Sequence, residues 1–522
     1  MSQRTNWKSV FAIFLTGSLC ICKGASAFAI AILSSNPSAV QPHRPNILVI
    51  TVDDMSCDSI GIFDCPIKDT TPAIDQFASS ALRFSHAHVH VGNCMPSRNI
   101  MWSGMYSCKN GIEGFRQDSS VTYPTLCDLA KSAGYYTSIR GKVSHSTPYT
   151  PYAWDEDATF DINGKKFDLK DPAGYGKSVT QVIQAAQKHQ KPFCLMVNIS
   201  DPHKPFYGVN GKGQKVDDPY IPTKLFHVDT VHVPGFLHDS PVVRQEMVHY
   251  YNSVRRADDC VREVLAALDA SGQSDDTFVM FLSDHGMPLP FAKTQLYHHS
   301  TKTPLMIRWP GITASGSVDN QHMVAAVDFV PTLLEVMNYV HPNPATLQGR
   351  SFAPLLKSLK QDDRDHVILQ YNENSGRKRH PMRGIHTVQY LYLYNAWSDG
   401  KNKFATATTG TKTYRDMQRL AQTDTAIKQR LNLFDHRVPQ ELFDINTDPD
   451  CMHNLIASPS AQPVLNRLRQ KLANRLTEIE DPMANLLTDP NNEELRQAFM
   501  DSQPVPPRKK RQNKPRNQNK NR

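Results

Sequence analysis

The segment that decides the fold is RPNILVITVDDM, residues 44–55. Its near-continuous apolar run is typical of a strand buried on both faces of a parallel sheet. Three later segments repeat this pattern, each after a stretch with helical periodicity: GYYTSIRGKVSH, KPFCLMVNISDPHKPF and DDTFVMFLSDHG. Strands that alternate with helices predict an α/β fold, with a mostly parallel sheet sandwiched by helices.

Titratable residues follow each of these four strands. They are Asp53 and Asp54, Lys142 and His145, Asp201 and His203, and Asp284 and His285. Any one pair could be a helix N-cap or a turn former. Ligands of open α/β sheets, however, bind beyond the carboxyl ends of the strands. Four strands that share this feature therefore predict a functional site at one edge of the sheet.

The acidic members of this set predict a metal site. Asp53, Asp54 and Asp284 offer carboxylate oxygens and His285 offers an imidazole. Oxygen-rich ligands favour Ca²⁺, Mg²⁺ or Mn²⁺, while Zn²⁺ is the alternative because histidine is its common ligand. Two adjacent aspartates would repel each other unless a cation lay between them.

Basic residues are expected near the same edge. Arg98, Lys142, His145, His203 and Lys293 supply this positive charge. A cation together with several basic side chains suits an anionic tetrahedral group, sulfate or phosphate, whose developing charge must be stabilised.

The pattern changes beyond about residue 360. HVILQY, GIHTVQYLYLYNAW and ELFDINTDP alternate as antiparallel strands do, and AQPVLNRLRQKLANRLTEI has helical periodicity. We expect a larger domain over residues 43–360 and a smaller C-terminal α+β subdomain with an antiparallel sheet over residues 361–490. Residues 503–522 form a basic tail of disordered composition.

The net charge of +8 is concentrated at the ends of the chain. Residues 508–522 carry eight Lys/Arg and residues 1–27 carry three, with no acidic residue in either segment. Without these eleven charges the remainder carries about −3, so we expect no nucleic-acid partner.

The first 27 residues have the organisation of a signal peptide. Arg4 and Lys8 precede an apolar stretch over residues 10–21, and Ala25 and Ala27 fit a cleavage motif. The apolar stretch is too short to span a bilayer, although FAIAIL after Ala27 leaves an uncleaved anchor as the alternative. We expect export to a periplasmic, secreted or lysosome-like compartment, without stable membrane insertion.

One cysteine lies in an unusual context, HVGNCMPSRNIMWSG at residues 90–104. Cys94 stands in a turn-like segment and is followed by Arg98 and an apolar run. Eight cysteines remain after the signal peptide, spread over some 400 residues, which is not a disulfide-framework pattern. One or two disulfides are expected in an oxidising compartment.

The segment CMPSR followed by Gly104 resembles the sulfatase signature C-x-P-S-R-x5-G, whose cysteine is oxidised after translation to formylglycine. PNILVITVDDM, GKVSH, DPHKPF, SDHG and ELFDINTDPDCMHNL resemble further motifs of the family. The resemblance covers nearly the whole mature chain. It implies an alkaline-phosphatase-like fold and hydrolysis of sulfuric esters or sulfamates.

The resemblance also implies roles for the residues above. Asp53, Asp54, Asp284 and His285 would hold one Ca²⁺, or alternatively Mg²⁺, together with the modified Cys94. Most members have Asp-Asn where this chain has Asp284-His285, a variant found in iduronate-type sulfatases. Arg98 would support the formylglycine, Lys142 and His145 would contact it and the sulfate, His203 would protonate the leaving group, and Lys293, with Lys302 as its rival, would bind a sulfate oxygen. A formylglycine-generating enzyme would be a maturation partner.

The substrate is expected to be a sulfated polysaccharide or a glycosaminoglycan-like glycan. SDHGMPLPFAKTQLYHHSTKTPLMI and HPMRGI resemble the heparan N-sulfatase branch, whereas GKVSH and Asp284-His285 resemble the iduronate type. N- versus O-sulfate specificity and the oligomeric state stay open. Asn372, Glu373 and Arg383 are candidate substrate contacts, or else solvated polar loop residues.

Two other functions are compatible with parts of the sequence. A phosphodiesterase or phosphonate hydrolase of the same superfamily would share the metal cluster. A non-catalytic protein could instead bind sulfated glycans through the basic tail, with Cys94 unmodified.

Overall fold

The segment at residues 44–55 forms the central strand of the larger of two sheets. The computed structural model describes residues 43–404 and 406–504. The strands are β1 (Asn46–Asp53), β2 (Leu82–His88), β3 (Tyr136–Arg140), β4 (Glu156–Asp157), β5 (Phe193–Pro202), β6 (Thr277–Ser283), β7 (Leu305–Arg308), β8 (Val318–Ala325), β9 (His366–Glu373), β10 (Arg379–Thr387), β11 (Tyr390–Asn395) and β12 (Gln440–Asp444).

Helices follow most of the strands, as the alternating pattern predicts. The α-helices are α1 (Pro72–Ala78), α2 (Cys94–Ser103), α3 (Ser107–Asn110), α4 (Leu126–Ser132), α5 (Val143–Ser146), α6 (Pro172–Lys188), α7 (Pro241–Ala270), α8 (His298–Thr301), α9 (Phe329–Val336), α10 (Ala353–Leu356), α11 (Lys412–Leu420), α12 (Thr425–His436), α13 (Gln462–Glu478) and α14 (Glu493–Asp501). The amphipathic helix expected from Val242 to Ala270 is α7. Ser240 caps its first turn, and Gly272 follows its end with a positive φ of 70°.

The larger sheet has eight strands in the order β4-β3-β5-β1-β6-β7-β2-β8. Its pairings are parallel except those of β7, which runs antiparallel to β6 and β2. Every residue of β1 is buried because β5 and β6 flank it and helices cover both faces. The carboxyl ends of β1, β5 and β6 therefore lie side by side.

Alternate residues of β1 belong to opposite hydrophobic layers, as the pleat of a strand requires. Leu48 and Ile50 pack in a cluster with residues of α6 and α7. Ile47 and Val49 pack in a second cluster with residues of α2, α4 and α9. The predicted sandwich of helices around a mostly parallel sheet is confirmed.

The smaller sheet is antiparallel, in the order β12-β11-β10-β9. It confirms the predicted C-terminal sheet, and α13 packs against it. Helix α14 lies beyond residue 490, where the expected subdomain ends. Within residues 43–404 and 406–504, no helix has the length and apolarity to cross a membrane. The expected signal peptide, and the basic tail beyond residue 504, lie outside the described residues.

The expected disulfides are not formed. All eight cysteines after the signal peptide are described, and each is a free thiol. Cys94 is thus one of several buried thiols, and its position in the fold sets it apart.

Candidate active site

Cys94 lies at the start of α2, at the carboxyl edge of the larger sheet. Asn93 is extended (φ −144°, ψ 117°) and precedes the first helical residue, and all ten residues of α2 are buried. Pro96 is tolerated in the first turn because the first amides of a helix lack intrahelical partners. Gly104 closes the helix in the left-handed conformation at φ 68°. This sequence holds the Cys94 side chain, which is 2% exposed, at a helix N-terminus.

The predicted metal ligands surround Cys94. Its Sγ lies 3.2 Å from His285 Nε2 and 3.9 Å from Asp54 Oδ1. Asp54 Oδ1 is 3.2 Å from the same histidine nitrogen. Ligand atoms of Asp53, Cys94 and Asp284 also lie within 4.8 Å of one another. The structure therefore brings together all five residues that the sequence suggested as metal ligands.

Hydrogen bonds to backbone groups orient Asp284 and His285. Asp54 has a positive φ of 68°, and its amide donates to Asp284 Oδ1 at 3.0 Å. His285 Nδ1 lies 2.9 Å from the Gly286 carbonyl oxygen. Because a carbonyl only accepts, Nδ1 carries the proton, and in the neutral ring Nε2 presents a lone pair toward Cys94.

The electrostatics of this cluster suit a cation. Burial and the neighbouring Asp53 raise the pKa of Asp284 to about 6. Burial lowers the pKa of His285, but Asp284, Cys94 and Asp54 outweigh it and raise that pKa to about 9. Without a metal the ring is therefore protonated near pH 7, and a bound cation would displace the proton on Nε2. Three buried carboxylates with one imidazole match the oxygen-rich donor sets of hard divalent ions. The residues present therefore fit a divalent metal.

Arg98 is fully buried and lies between the aspartates and β5. Its Nε and Nη2 lie 3.1 Å and 3.0 Å from Asp284 Oδ2, and Nη2 lies 3.3 Å from Asp53 Oδ1. Its Nη1 donates to Asn198 Oδ1 at 2.5 Å and to Thr51 Oγ1 at 3.0 Å. These contacts fix the guanidinium in one orientation.

Two lysines form ion pairs with the carboxylates of Asp53 and Asp54. Lys142 Nζ is 2.5 Å from Asp53 Oδ2, and Lys293 Nζ is 2.7 Å and 2.6 Å from the two oxygens of Asp54. Burial lowers the pKa of Lys293, but Asp54 outweighs it and raises that pKa. Lys302, the rival of Lys293, instead forms a backbone bridge with His88 away from these aspartates.

The two candidate histidines line the more open side of the site. His203 Nε2 lies 3.9 Å from Asp54 Oδ2, and its side chain is 35% exposed. Its Nδ1 donates to the Lys204 carbonyl at 2.7 Å. The ring of His145 packs edge-on against Phe115, with centroids 5.5 Å apart. Burial and the charge of Lys142 lower the pKa of His145 to about 3, so this ring is neutral near pH 7.

Asp201 belongs to a separate ion-pair network. Its carboxylate lies 2.5 Å from Lys170 Nζ and 2.6 Å from Arg256 Nε. It therefore ties the end of β5 to α7 and does not join the acidic cluster. Of the four titratable pairs after the strands, this one contributes only its histidine, His203, to the site.

The sequence-based reasoning missed the residues that hold Arg98. Asn198 fits a glycosylation sequon, but it is 1% exposed and accepts hydrogen bonds from Arg98 and from Thr51, the latter at 2.7 Å. Ser97 Oγ donates to the Asp284 carbonyl at 2.9 Å. The sequence feature that could have indicated these contacts is a polar residue near the carboxyl end of each apolar strand.

The candidate substrate contacts on the smaller sheet are not solvated loop residues. Asn372 and Glu373 end β9, Arg383 lies in β10, and all three are at most 3% exposed. Arg383 Nε pairs with Asp481 Oδ2 at 2.7 Å, and Glu373 Oε1 pairs with Arg116 at 3.2 Å. Burial and internal pairing make Arg383 a structural residue.

A sheet edge that gathers carboxylates around one cysteine and balances them with fixed cations is suited to hydrolysing anionic tetrahedral esters. The family model "Sulfatase" matches residues 45–339, which is more than half of the chain. A second model, "N-sulphoglucosamine sulphohydrolase, C-terminal", matches residues 284–403. The chain belongs to the sulfatase family, and it is a sulfatase.

Individual relatives cover most of the chain. It is 28% identical to human N-sulphoglucosamine sulphohydrolase over 484 residues, covering 84% of this chain and 91% of that protein. It is 24% identical to an ulvan-active sulfatase of Formosa agariphila over 490 residues, covering 85% and 76%. A solved structure in complex with D-glucosamine-2-N,6-O-disulfate has a TM-score of 0.59 and 19% identity, covering 84% of this chain and 99% of that one. At this identity the likeness establishes the fold alone.

Proposed function

We propose that this sulfatase uses Cys94, converted to formylglycine, and one Ca²⁺ to release sulfate from N-sulfated glucosamine in a sulfated glycan. One observation carries the proposal: Cys94 lies at the helix N-terminus, 3.2 Å from His285 and among three carboxylates. A thiolate that attacked sulfur would leave an adduct with no easy exit. A hydrated aldehyde at this position supplies one oxygen as nucleophile and a second whose deprotonation releases sulfate.

The cation would be held by Asp53, Asp54, Asp284, His285 and residue 94. A bound Ca²⁺ supplies positive charge to the sulfate oxygens and lowers the pKa of an oxygen nucleophile. The carboxylate-rich donor set favours it over Zn²⁺, and Mg²⁺ is the alternative.

The fixed cations would bind and orient the sulfate. Arg98 holds Asp53 and Asp284 in place through the contacts described above, and so positions the residue 94 side chain. Lys142 and Lys293 each have a carboxylate partner within 2.7 Å, so both stay protonated and can stabilise the charge that develops on sulfate oxygens. Neutral His145 can accept or share a proton there. His203, the exposed member, would donate a proton to the leaving oxygen or nitrogen.

The substrate class rests on similarity and on charge. The match to the C-terminal model of N-sulphoglucosamine sulphohydrolases and the human relative support an N-sulfated glucosamine. Arg98, Lys142 and Lys293 already balance the three buried carboxylates. A bound divalent cation would therefore give the site an excess of positive charge, which favours an anionic glycan.

Maturation and export complete the proposal. Conversion of Cys94 requires a formylglycine-generating enzyme as a partner. The N-terminal segment with its A-x-A motif supports export, and it lies outside the described residues.

Mass spectrometry of the peptide that contains residue 94 tests the nucleophile. Formylglycine lowers the peptide mass by about 18 Da relative to cysteine, because an aldehyde replaces the thiol. Cys94→Ala should abolish sulfate release, whereas Cys127→Ala, which removes another buried thiol in α4, should leave it intact. An unmodified thiol in active protein from the native host would contradict the mechanism.

Substrate panels separate the reaction class from the sugar. We expect faster turnover of 4-nitrophenyl sulfate than of 4-nitrophenyl phosphate or phosphonate esters, and the reverse order would favour the phosphohydrolase alternative. Among glycans, N-sulfated glucosamine should release sulfate faster than 6-O-sulfated glucosamine or ulvan fragments. Release from O-sulfated glycans alone would overturn the substrate and leave the sulfatase mechanism standing.

A further inference from the structure

Three buried histidines meet where the two sheets join. His88 is the last residue of β2, His298 is the first residue of α8, and His386 lies in β10. They are 1%, 8% and 1% exposed. One ring nitrogen from each lies within 4.8 Å of the other two. The mechanism uses none of these residues.

The hydrogen bonds set which nitrogen each ring offers. His386 Nδ1 donates to the Thr387 carbonyl at 2.6 Å, so the lone pair of the neutral ring lies on Nε2. His298 Nδ1 is 2.9 Å from that Nε2. His88 Nδ1 lies 3.2 Å from Thr301 Oγ1, whose hydroxyl also reaches the Tyr297 carbonyl at 3.4 Å. The Thr301 oxygen can therefore accept the Nδ1 proton, which leaves the His88 lone pair on Nε2.

All three rings are neutral imidazoles near pH 7. Burial lowers the pKa of His386 to about 4 and places the pKa values of His88 and His298 well below their ordinary range. The charge of Lys302 acts in the same direction on each ring. Neutral imidazole is the form that binds metal ions.

We propose that His88, His298 and His386 form a second metal site, for Zn²⁺ or another late first-row divalent ion. Three imidazoles without a carboxylate match such ions and do not suit Ca²⁺. Metal–nitrogen bonds of about 2.0–2.1 Å in a tetrahedral site place the nitrogens about 3.3 Å apart, so modest ring rotations would complete the set. His298 can bind through Nδ1 once its single proton moves to Nε2, because a neutral imidazole keeps one N–H when it binds a metal.

Negative charge near the cluster can offset that of Lys302. The ring of His299 lies next to that of His298, with centroids 5.4 Å apart. His299 itself contacts Asp58 at 3.4 Å and Asp450 at 3.1 Å. These carboxylates lie one side chain away from the cluster and partly balance an added cation.

A metal bound by these three histidines would link segments next to the active site to the smaller sheet. His88 precedes Cys94 by six residues, and His298 follows Lys293 by five. His386 belongs to the smaller sheet. The ion would therefore tie the segments that carry the nucleophile and a sulfate-binding lysine to the second sheet, without contacting substrate.

The test uses the full-length protein, freed of metal and then saturated with Ca²⁺ to fill the carboxylate site. Zn²⁺ or Co²⁺ is added, excess is removed by dialysis, and retained metal is counted. We expect about one retained ion per chain in the wild type and a higher unfolding temperature. His386→Gln and His298→Gln should weaken retention by more than the about 10–100-fold that loss of a supporting group costs. His380→Gln is the matched control, a histidine of the same strand that is 1% exposed and packs on Trp397.

The identity of the ligands is read from X-ray absorption of the Co²⁺-loaded wild type. Three imidazole nitrogens support the proposal. One or two imidazoles would fit the carboxylate site, where His285 and His203 both lie near Asp54, and would overturn it. Absence of retained metal, or equal retention in the His386, His298 and His380 variants, would also overturn it. If the cluster variants fail to fold, the nitrogen count in the wild type still decides.

Discussion

Asn198→Ala is the most informative perturbation of the site, because Asn198 would act on the chemistry only through the groups it holds, Arg98 and the loop before Lys142. Its Oδ1 accepts from Arg98 Nη1 at 2.5 Å and from Thr51 Oγ1 at 2.7 Å. Its Nδ2 donates to the Gly141 carbonyl at 2.9 Å, one residue before Lys142. The amide thus holds the guanidinium on one side and the loop that carries Lys142 on the other.

The expected cost follows from these bonds. Alanine removes one charge-assisted hydrogen bond, worth about 1.5–3 kcal/mol, and leaves a buried carbonyl without a donor, which costs about 1–3 kcal/mol. The free energy of unfolding should therefore fall by about 2.5–6 kcal/mol. Loss of a supporting group of this kind lowers activity about 10–100-fold. Because Asn198 is buried behind Arg98, we expect the fall in kcat, with KM little changed.

The assay compares steady-state kinetics on 4-nitrophenyl sulfate with urea unfolding of the same preparations. Leu468→Ala in α13 is the control, since this buried leucine of the C-terminal region should cost a comparable 2–5 kcal/mol, about the range for such cavities, without lowering kcat. Equal kcat values for wild type and Asn198→Ala would refute the assignment of Asn198 as a positioning residue. So would an equal loss of kcat in both variants, which would reflect instability alone.

Three further outcomes are expected. Lys293→Met should lower kcat/KM on 4-nitrophenyl sulfate about 10²–10³-fold by removing the charge proposed to bind sulfate. Lys302→Met should leave kcat/KM unchanged, and the opposite ranking would reinstate Lys302. Burial lowers the pKa of His90 to about 4, and His90 Nε2 accepts from the Val327 amide at 3.1 Å. The pKa of His90 in the unfolded chain is about 6.5, so as the pH falls the unfolded chain binds the proton first. From about pH 7.5 to 5.5 this residue should therefore reduce the free energy of unfolding by about 1.4 kcal/mol. His90→Gln should remove that part of the pH dependence of the urea midpoint, and an unchanged pH dependence would contradict the prediction. Chelation should abolish turnover and lower the unfolding temperature, with Ca²⁺ restoring both; full activity in a strong chelator would exclude a required metal.

The larger sheet and the residues at its edge were predictable because their signal is local. An apolar run followed by Asp53 and Asp54 specifies both a buried strand and where it ends. The parallel arrangement then forces the ends of β1, β5 and β6 to one edge, so residues far apart in sequence converge without further information. Arg98 and Cys94 share one short helix, α2, so their relative position follows from helix geometry.

Tertiary contacts between residues that follow no periodic sequence pattern were not predictable. Lys293 and Lys302 lie in one irregular segment, and only the fold shows that the first reaches Asp54 while the second lies beside His88. The pairing of Arg383 with Asp481 joins residues 98 positions apart, which no local pattern indicates. Side-chain direction in such segments is set by packing.

The charges around Cys94 explain why the residues proposed to act in catalysis are also structural. Arg98 and Lys142 face Asp53, Lys293 faces Asp54, and each of these carboxylates is fully buried. A buried ion pair adds little net stability, but removing one partner leaves an uncompensated charge that costs about 3–5 kcal/mol. Three carboxylates and three permanent cations balance one another, so a divalent cation would leave the site with excess positive charge that attracts a sulfated substrate. The same balance that permits burial of these groups thereby prepares the site for an anion, and loss of any one charge should affect folding and turnover together.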